Sequence, residues 1–485
     1  MPRRRMVDLK AIAYKTMLDY GFIPHFPKKV LREVDALAPD IMSVEAKDLR
    51  DLPWSSIDNP DSLDLDQLEY CEPSSNGEIA VKLAIADVDL YVPSGSLTDQ
   101  HAAHNGTSVY TGVETFPMLP DRLSAGLSSL LPNQDRLAVV IVYTVLPDGT
   151  TRPGQIYRAL VRNRAKLVYE EVGSWLEGTG PLPPAIQKNP ELEGQIRLQD
   201  EVAQRLHRHR MTRGALELET LEPRAVVEGE IVRDLVVESK NRARSLIEEL
   251  MIAANETMVS ALEEAGLPAI QRIVRVPKYW DGIVETAARY GESLPAGPDS
   301  KALAAFLVRR KDADPDRFPD LSLTVVKLMG PGEYVVVDPG EESVGHFGLA
   351  VTDYTHATAP NRRYADIINQ RMIKSVLSKK PSPYGPIELS DLAGWLTDRD
   401  KSSQKVERFM RKASAAVLLE GRVGESFESF VTGVTVHGTF VRVVSPPAEG
   451  KIIRGGEDLT VGQKVRVVLA GTDPYRGHID FELLP

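Results

Sequence analysis

The sequence predicts an α+β fold in three parts: a small helical region over residues 1–46, a large mixed domain over 47–420, and an all-β barrel over 421–485. Three observations carry this reading. The first 46 residues show only short helical patterns. The middle of the chain has strand patterns early and long helical patterns late, as an α+β domain does. The tail, beginning "GESFESFVTGVTVHGTFVRV", breaks into five short β segments separated by Gly, Pro and Asp, which fits an OB-fold barrel.

The elements follow in chain order. "DLKAIAYKTMLDYG" has apolar residues at helical spacing and ends at Gly21, while "FPKKVLREVDALAP" begins near Pro27 and stops before Pro39. Two short helices joined by a tight turn form either a helix-turn-helix module, winged or not, or a helical cap on the next domain. "GEIAVKLAIADVDLYV" reads as strands, and "RLAVVIVYTVLPDGTTRPGQIYRALVR" as a hairpin turning at Asp148-Gly149. Helical patterns cover 191–212, with Leu192, Ile196, Val202 and Leu206 on one stripe, and then 238–265, 366–379 and 388–419.

A hydrophobic fraction of 42% with 26% charged residues is enough to bury a sizeable core. No apolar run is long enough to span a bilayer, and the basic start lacks an apolar signal core, so a cytoplasmic location is expected. Cys71 is the one cysteine, which excludes an internal disulfide framework and fits a reducing compartment. A net charge of −11 argues against loose coating of nucleic acid, though an enzyme can gather acids at a metal site and bases along a channel.

The stretch "SSIDNPDSLDLDQ", residues 55–67, places Asp58, Asp61, Asp64 and Asp66 within nine residues, separated by apolar ones. Like charges so close cost free energy unless a cation or hydrogen bonds offset the repulsion. Asp64 and Asp66 are two apart, so an extended backbone turns both to one side. Magnesium, a hard cation that takes carboxylate oxygens and substrate phosphates, suits this set. The alternatives are a solvated acidic turn or a calcium loop, and the Gly and Glu that a calcium loop needs are missing. A second stretch, "DYTHATAPNRRYADIINQRMI" (353–373), gathers His356, Arg362, Arg363, Tyr364 and Arg371 around the head of a helix. An arginine pair there clamps phosphate bidentately, or else pairs with Asp353 or Asp366 on the surface.

Together the two stretches resemble the ribonuclease II/ribonuclease R family, whose RNB domain carries an acidic motif "ID-x5-D-x-D-D" and an arginine motif "T-S-P-I-R-R/K-Y-x-D". "SVYTGVETFPMLPDRLS" (108–124) is similar to the family's tyrosine loop, and "SLIEELMIAANE" (245–256) to its central-helix signature. The four stand in family order, and the barrel resembles the S1-type RNA-binding domain that follows. The resemblance implies a magnesium-dependent, hydrolytic 3′→5′ exoribonuclease that releases nucleoside 5′-monophosphates from single-stranded RNA. It implies that Asp58, Asp64, Asp66 and Gln67 occupy the metal-binding and catalytic positions. Arg362 matches the arginine required for cleavage, and Tyr110 the tyrosine that stacks on the 3′ end. His356, Thr358, Arg363 and Tyr364 of the arginine motif are then RNA contacts. A monomer without an obligate protein partner is the expected state.

Several positions depart from the family pattern. Gln67 stands where the fourth aspartate is usual and supplies a neutral carbonyl oxygen, one charge fewer. Either the site works with Asp61 or a water compensating, or it is weakened and the chain acts as an RNA-binding protein. Ala359 and Asn361 replace a frequent Ser and Ile, both uncharged changes expected to tune and not abolish. Helices stand where typical members carry two cold-shock barrels, so altered handling of structured RNA is expected. In the C-terminal barrel, Phe427, Phe430, His437, Phe440 and Tyr475 are stacking candidates, with His437 and Phe440 foremost, and Lys451, Arg454 and Arg476 can meet phosphate. "RLHRHRMTRG" (205–214) either lines the RNA path or is an exposed helix end, with His207 and His209 non-catalytic. Arg242 and Arg244 are within reach of phosphate at the start of the central helix.

Overall fold

Asp8 caps the first helix, its side chain accepting from the Ala11 N–H at 2.9 Å, and Gly21 ends the turn after it in the left-handed region (φ +78°). A computed structural model of the chain describes residues 7–38, 40–220, 223–228, 231–237 and 240–484. Helix α1 (Leu9–Asp19) buries Leu9, Ile12, Ala13 and Met17, and α2 (Lys28–Asp35) buries Val30 and Val34.

Strands β1 (Lys47–Asp48), β2 (Ser55–Asp58), β3 (Gln67–Pro73) and β4 (Ile79–Ala86) follow. Next come α3 (Leu97–Asn105) and a small ribbon of β5 (Val109–Tyr110) with β6 (Thr115–Phe116). The predicted hairpin is β7 (Asp135–Val145) and β8 (Thr151–Arg162), followed by β9 (Ala165–Val168). The main sheet runs β1-β8-β7-β4-β3-β2-β9, antiparallel except where β1 meets β8 and β2 meets β9. The strand pattern continues past Ala86 in the sequence, yet the chain leaves the sheet there. Asp87 and Asp89 turn to Lys374 (2.7 and 2.8 Å), and Asp89 also takes Arg371 at 2.7 Å.

Helices α4 (Tyr169–Leu176), α5 (Pro184–Lys188) and α6 (Glu191–Arg213) lead through the strand pair β10 (Pro223–Glu228) and β11 (Ile231–Val237) to the central helix α7 (Arg242–Glu264). Leu192, Ile196, Val202 and Leu206 are buried, as their spacing requires. In the main core α7 contributes Leu246, Leu250, Ala254 and Met258 beside Val81, Ile141 and Tyr143 of the sheet. The Tyr143 hydroxyl donates to the Leu250 carbonyl at 3.0 Å. Where β3 runs past its short pairing with β2, the Gln195 amide accepts from the Cys71 N–H and donates to its carbonyl, both at 2.9 Å.

The pair β12 (Ala269–Ile273) and β13 (Glu333–Val337) brackets α8 (Trp280–Arg289), α9 (Ser300–Ala313) and α10 (Phe318–Met329). These three helices, which the long-pattern reading passed over, form a separate small core of Trp280, Ile283, Phe306, Phe318 and Val325. Helices α11 (Tyr364–Leu377) and α12 (Pro386–Leu419) complete the middle of the chain.

The tail folds as expected into a closed barrel of β14 (Ser426–Thr435), β15 (Gly438–Val443), β16 (Glu449–Arg454), β17 (Lys464–Asp473) and β18 (His478–Leu483), in the order β14-β15-β16-β18-β17. Phe427, Val431, Val441, Leu469 and Phe481 fill it. It rests on α12 and is tied to α10 by a bidentate Arg442–Asp320 pair at 2.9 and 2.8 Å.

The N-terminal helices resolve the alternative left by the sequence in favour of a cap. Helix α1 packs on α12, where Arg399 donates to the Tyr20 and Gly21 carbonyls at 3.2 and 3.1 Å. From α2, Glu33 accepts from the Leu97 and Thr98 N–H groups at the head of α3. Each helix is thus committed to a different part of the central domain. Among the described residues no helix is long and apolar enough to cross a membrane.

Gly450 shows how tightly the barrel closes: a Cβ there would lie 2.5 Å from the Ile479 carbonyl oxygen and 2.5 Å from the Phe481 ring. Gly450→Ala should therefore destabilise the barrel by about 1–3 kcal/mol, the usual range for overpacking, seen as a lowered first transition in calorimetry.

Candidate active site

Strand β2 ends at Asp58 and β3 begins at Gln67, so the acidic residues occupy the loop between two neighbouring strands. Hydrogen bonds from several directions pin this loop. The Asp58 Oδ1 accepts from the Asn59 N–H and the Ser62 hydroxyl, both at 2.7 Å. Lys166 of β9 donates to the Pro60 and Ser62 carbonyls at 2.9 and 2.5 Å. The Ser129 hydroxyl donates to the Leu63 carbonyl at 2.6 Å and accepts from the Leu65 N–H at 3.0 Å. Arg244, at the head of α7, reaches the Asn59 side chain at 3.1 Å and Glu170 at 2.9 Å.

Asp66 is buried and meets the arginine motif directly. Its Oδ1 accepts from the Asn361 N–H at 2.9 Å, and its Oδ2 lies 3.5 Å from the Arg362 Nε. Burial pushes the Asp66 carboxyl up to about 7, only partly opposed by Arg362 and the Asn361 N–H. Burial also raises Asp64, and the neighbouring charge of Asp58 adds to the rise. Gln67 is buried beside them, whereas Asp61 points to solvent and stands apart as a compensating ligand.

Three arginines cluster in the sequence, and their fates differ. Arg363 forms a bidentate pair with Asp366 (2.8 and 2.8 Å), so the pairing alternative holds for this residue. Arg371 is buried, donating to Asp89, Asp99, Tyr384 and the Val92 carbonyl. Arg362, about half exposed, faces the acidic loop. Tyr110 on β5 lies against Arg362; the residue is 44% exposed, and its N–H donates to Glu407 of α12 at 3.1 Å. The backbone joins these parts: the Ser108 N–H donates to the Arg362 carbonyl at 2.9 Å, and the Tyr364 N–H to the Gly106 carbonyl at 2.9 Å.

The other predicted contacts are distributed unevenly. His356 is half-buried, its Nδ1 2.7 Å from the Tyr334 hydroxyl, and burial with Arg363 nearby holds its imidazole well below the usual range, hence neutral. Thr358 and Tyr364 are interior; the Tyr364 hydroxyl donates to Asp99 at 2.7 Å. Arg242 is engaged by Asp200 at 2.8 and 2.7 Å. In "RLHRHRMTRG", Arg210 and His207 both meet Glu249 of α7 and Arg205 meets the Gly77 carbonyl, so much of that cluster fastens α6 to its neighbours. On the barrel, His437 is exposed and Phe440 half-buried, while Phe427 belongs to the core.

Sequence reasoning passed over Lys166, Ser129, Asn361 as a backbone donor, and Glu69. Glu69, two residues past Gln67 on β3, is fully buried with neither carboxylate oxygen paired among the described residues. Burial, helped by Asp58, holds its carboxyl well above the usual range. No local pattern marks these residues: the partners of Lys166, Ser129 and Asn361 lie far away along the chain, and the Glu69 carboxylate has none among the described residues.

Asp58, Asp64, Asp66 and the Gln67 carbonyl offer only hard oxygen donors, the chemistry magnesium takes. Two of the carboxyls are raised by burial, a cost that a dication would relieve. Among the described residues, no three His, Cys, Asp or Glu side chains are gathered closely enough to hold a metal ion.

The family model described as "RNB domain" matches residues 46–379, and that described as "RNase II-type exonuclease C-terminal S1 domain" matches 425–484. Ribonuclease R 1 of Lactococcus lactis is 29% identical over 509 aligned positions, covering 97% of this chain and 60% of its own length. Ribonuclease R of Escherichia coli is 31% identical, covering 94% of this chain and 56% of its own. The chain thus spans less than two thirds of either relative. Mycoplasma genitalium RNase R, solved with ribose-methylated single-stranded RNA, shares the fold with a TM-score of 0.87 at 23% identity, over 98% of this chain and 78% of that one.

The buried Asp66 sets a pH dependence of stability in metal-free protein. Its folded pKa of about 7 lies above the 3.8 of a free aspartate, so between those limits the folded state holds the proton more firmly than the unfolded state. Stability should fall as pH rises from about 4 to about 7, by on the order of 2–4 kcal/mol from this group. Chemical denaturation across that range in chelator should show the decline, and Asp66→Asn should flatten it.

Proposed function

Because the chain belongs to the RNB-domain exoribonuclease family with a C-terminal S1 domain, we propose that it is a magnesium-dependent 3′→5′ exoribonuclease that hydrolyses single-stranded RNA to nucleoside 5′-monophosphates. The observation that carries the proposal is the contact of the Asp66 carboxylate with the Arg362 guanidinium, Oδ2 to Nε 3.5 Å, with Tyr110 beside Arg362. A cytoplasmic, monomeric enzyme without an obligate protein partner remains part of this reading.

In this reading Asp58, Asp64, Asp66 and Gln67 are the residues that would hold magnesium, which when bound would supply Lewis-acid activation of water and neutralise charge at the scissile phosphate. Arg362, steadied by Asp66, offers its guanidinium to the phosphoryl oxygens as negative charge develops on the leaving 3′ oxygen. Tyr110 presents an aromatic face to the terminal base, worth roughly 1–3 kcal/mol of stacking. His356, Thr358, Arg363 and Tyr364 shape the floor on which the last nucleotides rest, chiefly by keeping the Arg362 loop in place. His437 and Phe440 meet the strand upstream, on the barrel.

Gln67 favours a second reading, an RNA-binding protein of weakened activity, because the amide supplies one negative charge fewer than aspartate. A 5′-labelled single-stranded RNA separates the two. Incubated with magnesium, it should yield a descending ladder ending in a short core, and chelator should stop it. Full-length RNA held in a stable complex would support the binder instead. Arg362→Ala should slow the single-turnover rate by roughly 10²–10³, the size of a lost oxyanion donor, while leaving metal-free RNA affinity within a few-fold. Gln67→Asp should tighten magnesium binding, measured by calorimetry.

A further inference from the structure

Lys166 has no role in the proposed chemistry, yet no other side-chain cation among the described residues bonds directly to the backbone of the acidic loop. It sits on edge strand β9, which runs parallel to β2 with Ser56 opposite Lys166 and Asp58 opposite Val168. The ladder therefore fixes its Cα relative to the last residue before the loop. From there a single ammonium group donates to two loop carbonyls, Pro60 at 2.9 Å and Ser62 at 2.5 Å. Ser62 in turn donates its hydroxyl to Asp58 at 2.7 Å. The far half of the loop is held separately by Ser129, through Leu63 and Leu65. Asp64 lies between the two residues that Ser129 holds.

We propose that Lys166 is a positioning residue: it clamps the first half of the loop and so fixes the backbone from which Asp58 reaches a divalent cation. The inference rests on the metal-dependent reading above and deepens it. Two effects of Lys166 on such a cation oppose each other. As a nearby positive charge it repels the ion; as a clamp it pre-arranges the ligands. Removing it therefore changes affinity in opposite directions according to which role dominates, and the geometry assigns the clamp.

The test is calorimetric titration of RNA-free protein with Mn2+ and with Mg2+, for the unsubstituted chain and for Lys166→Met, Lys166→Gln and Lys166→Arg. Outer-layer residues that orient metal ligands typically change affinity by 10–100-fold. Lys166→Met should weaken binding roughly tenfold or more, despite the loss of a repelling charge. Lys166→Arg, which keeps charge and donors, should recover most of it. Hydrogen exchange at the amides of residues 59–63 should rise in Lys166→Met, with the C-terminal barrel unchanged. Should that variant fail to fold, Lys166→Gln carries the comparison, with the same weakening expected. Unchanged or tighter binding in Lys166→Met or Lys166→Gln overturns the clamp alone. An unsubstituted chain that takes up neither ion overturns the metal-dependent reading and the premise with it.

Discussion

The repulsion among carboxylates held at the β2–β3 connection is the constraint around which this molecule is arranged. Asp58, Asp64 and Asp66 would separate if the chain were free, and the fold denies them that freedom. Ladder pairing holds β2 between β3 and β9, serine and lysine side chains grip the loop backbone, and the Asn361 N–H holds Asp66 from across the pocket. Burial raises the carboxyl groups of Asp64 and Asp66, and repulsion from a neighbouring carboxylate adds to the rise.

The opposing arginine is delivered by an equally constrained route. Arg362 is the residue before the N-cap of α11, and that helix cannot slide, because Arg371 is bound by Asp89, Asp99, Tyr384 and the Val92 carbonyl in the interior. Arg363, though adjacent, is spent on Asp366 and leaves Arg362 alone to face the pocket. Neighbouring arginines thus do different work: one seals the helix head and the other stays half exposed. Replacing Ile by Asn at 361 fits this arrangement, since the bond to Asp66 comes from the backbone N–H, while its side-chain oxygen accepts from the Ser128 hydroxyl at 2.6 Å.

Much of this was legible in the residues themselves. Periodicity found α6, α7, α11 and α12 because long amphipathic stripes leave a strong local signal, and the Asp-Gly turn found the β7–β8 hairpin. The acidic loop stood out because several charges in a short apolar context demand an explanation, whereas Arg362 was singled out from its neighbouring arginines only by the resemblance to the family motif. What stayed hidden was non-local. Lys166 and Ser129 look like ordinary surface residues until the sheet brings them beside the loop. Glu69 reads as one more acid until burial strips it of partners. Arg210 and His207 read as a basic patch until Glu249 arrives from another helix. Helices α8–α10 were missed because each is short and their shared core forms only when all three pack together.

Helix α12 has a mechanical consequence. Its 34 residues form a rod about 50 Å long, and α1, the β10–β11 ribbon, β13 and two strands of the barrel all lean on it. Glu407, on the same rod, holds the peptide group of Tyr110. Phe409 and Lys412, within two turns of Glu407, lie beside Gly477 of the barrel, so the barrel and the Tyr110 backbone are both referenced to one short stretch of the same helix.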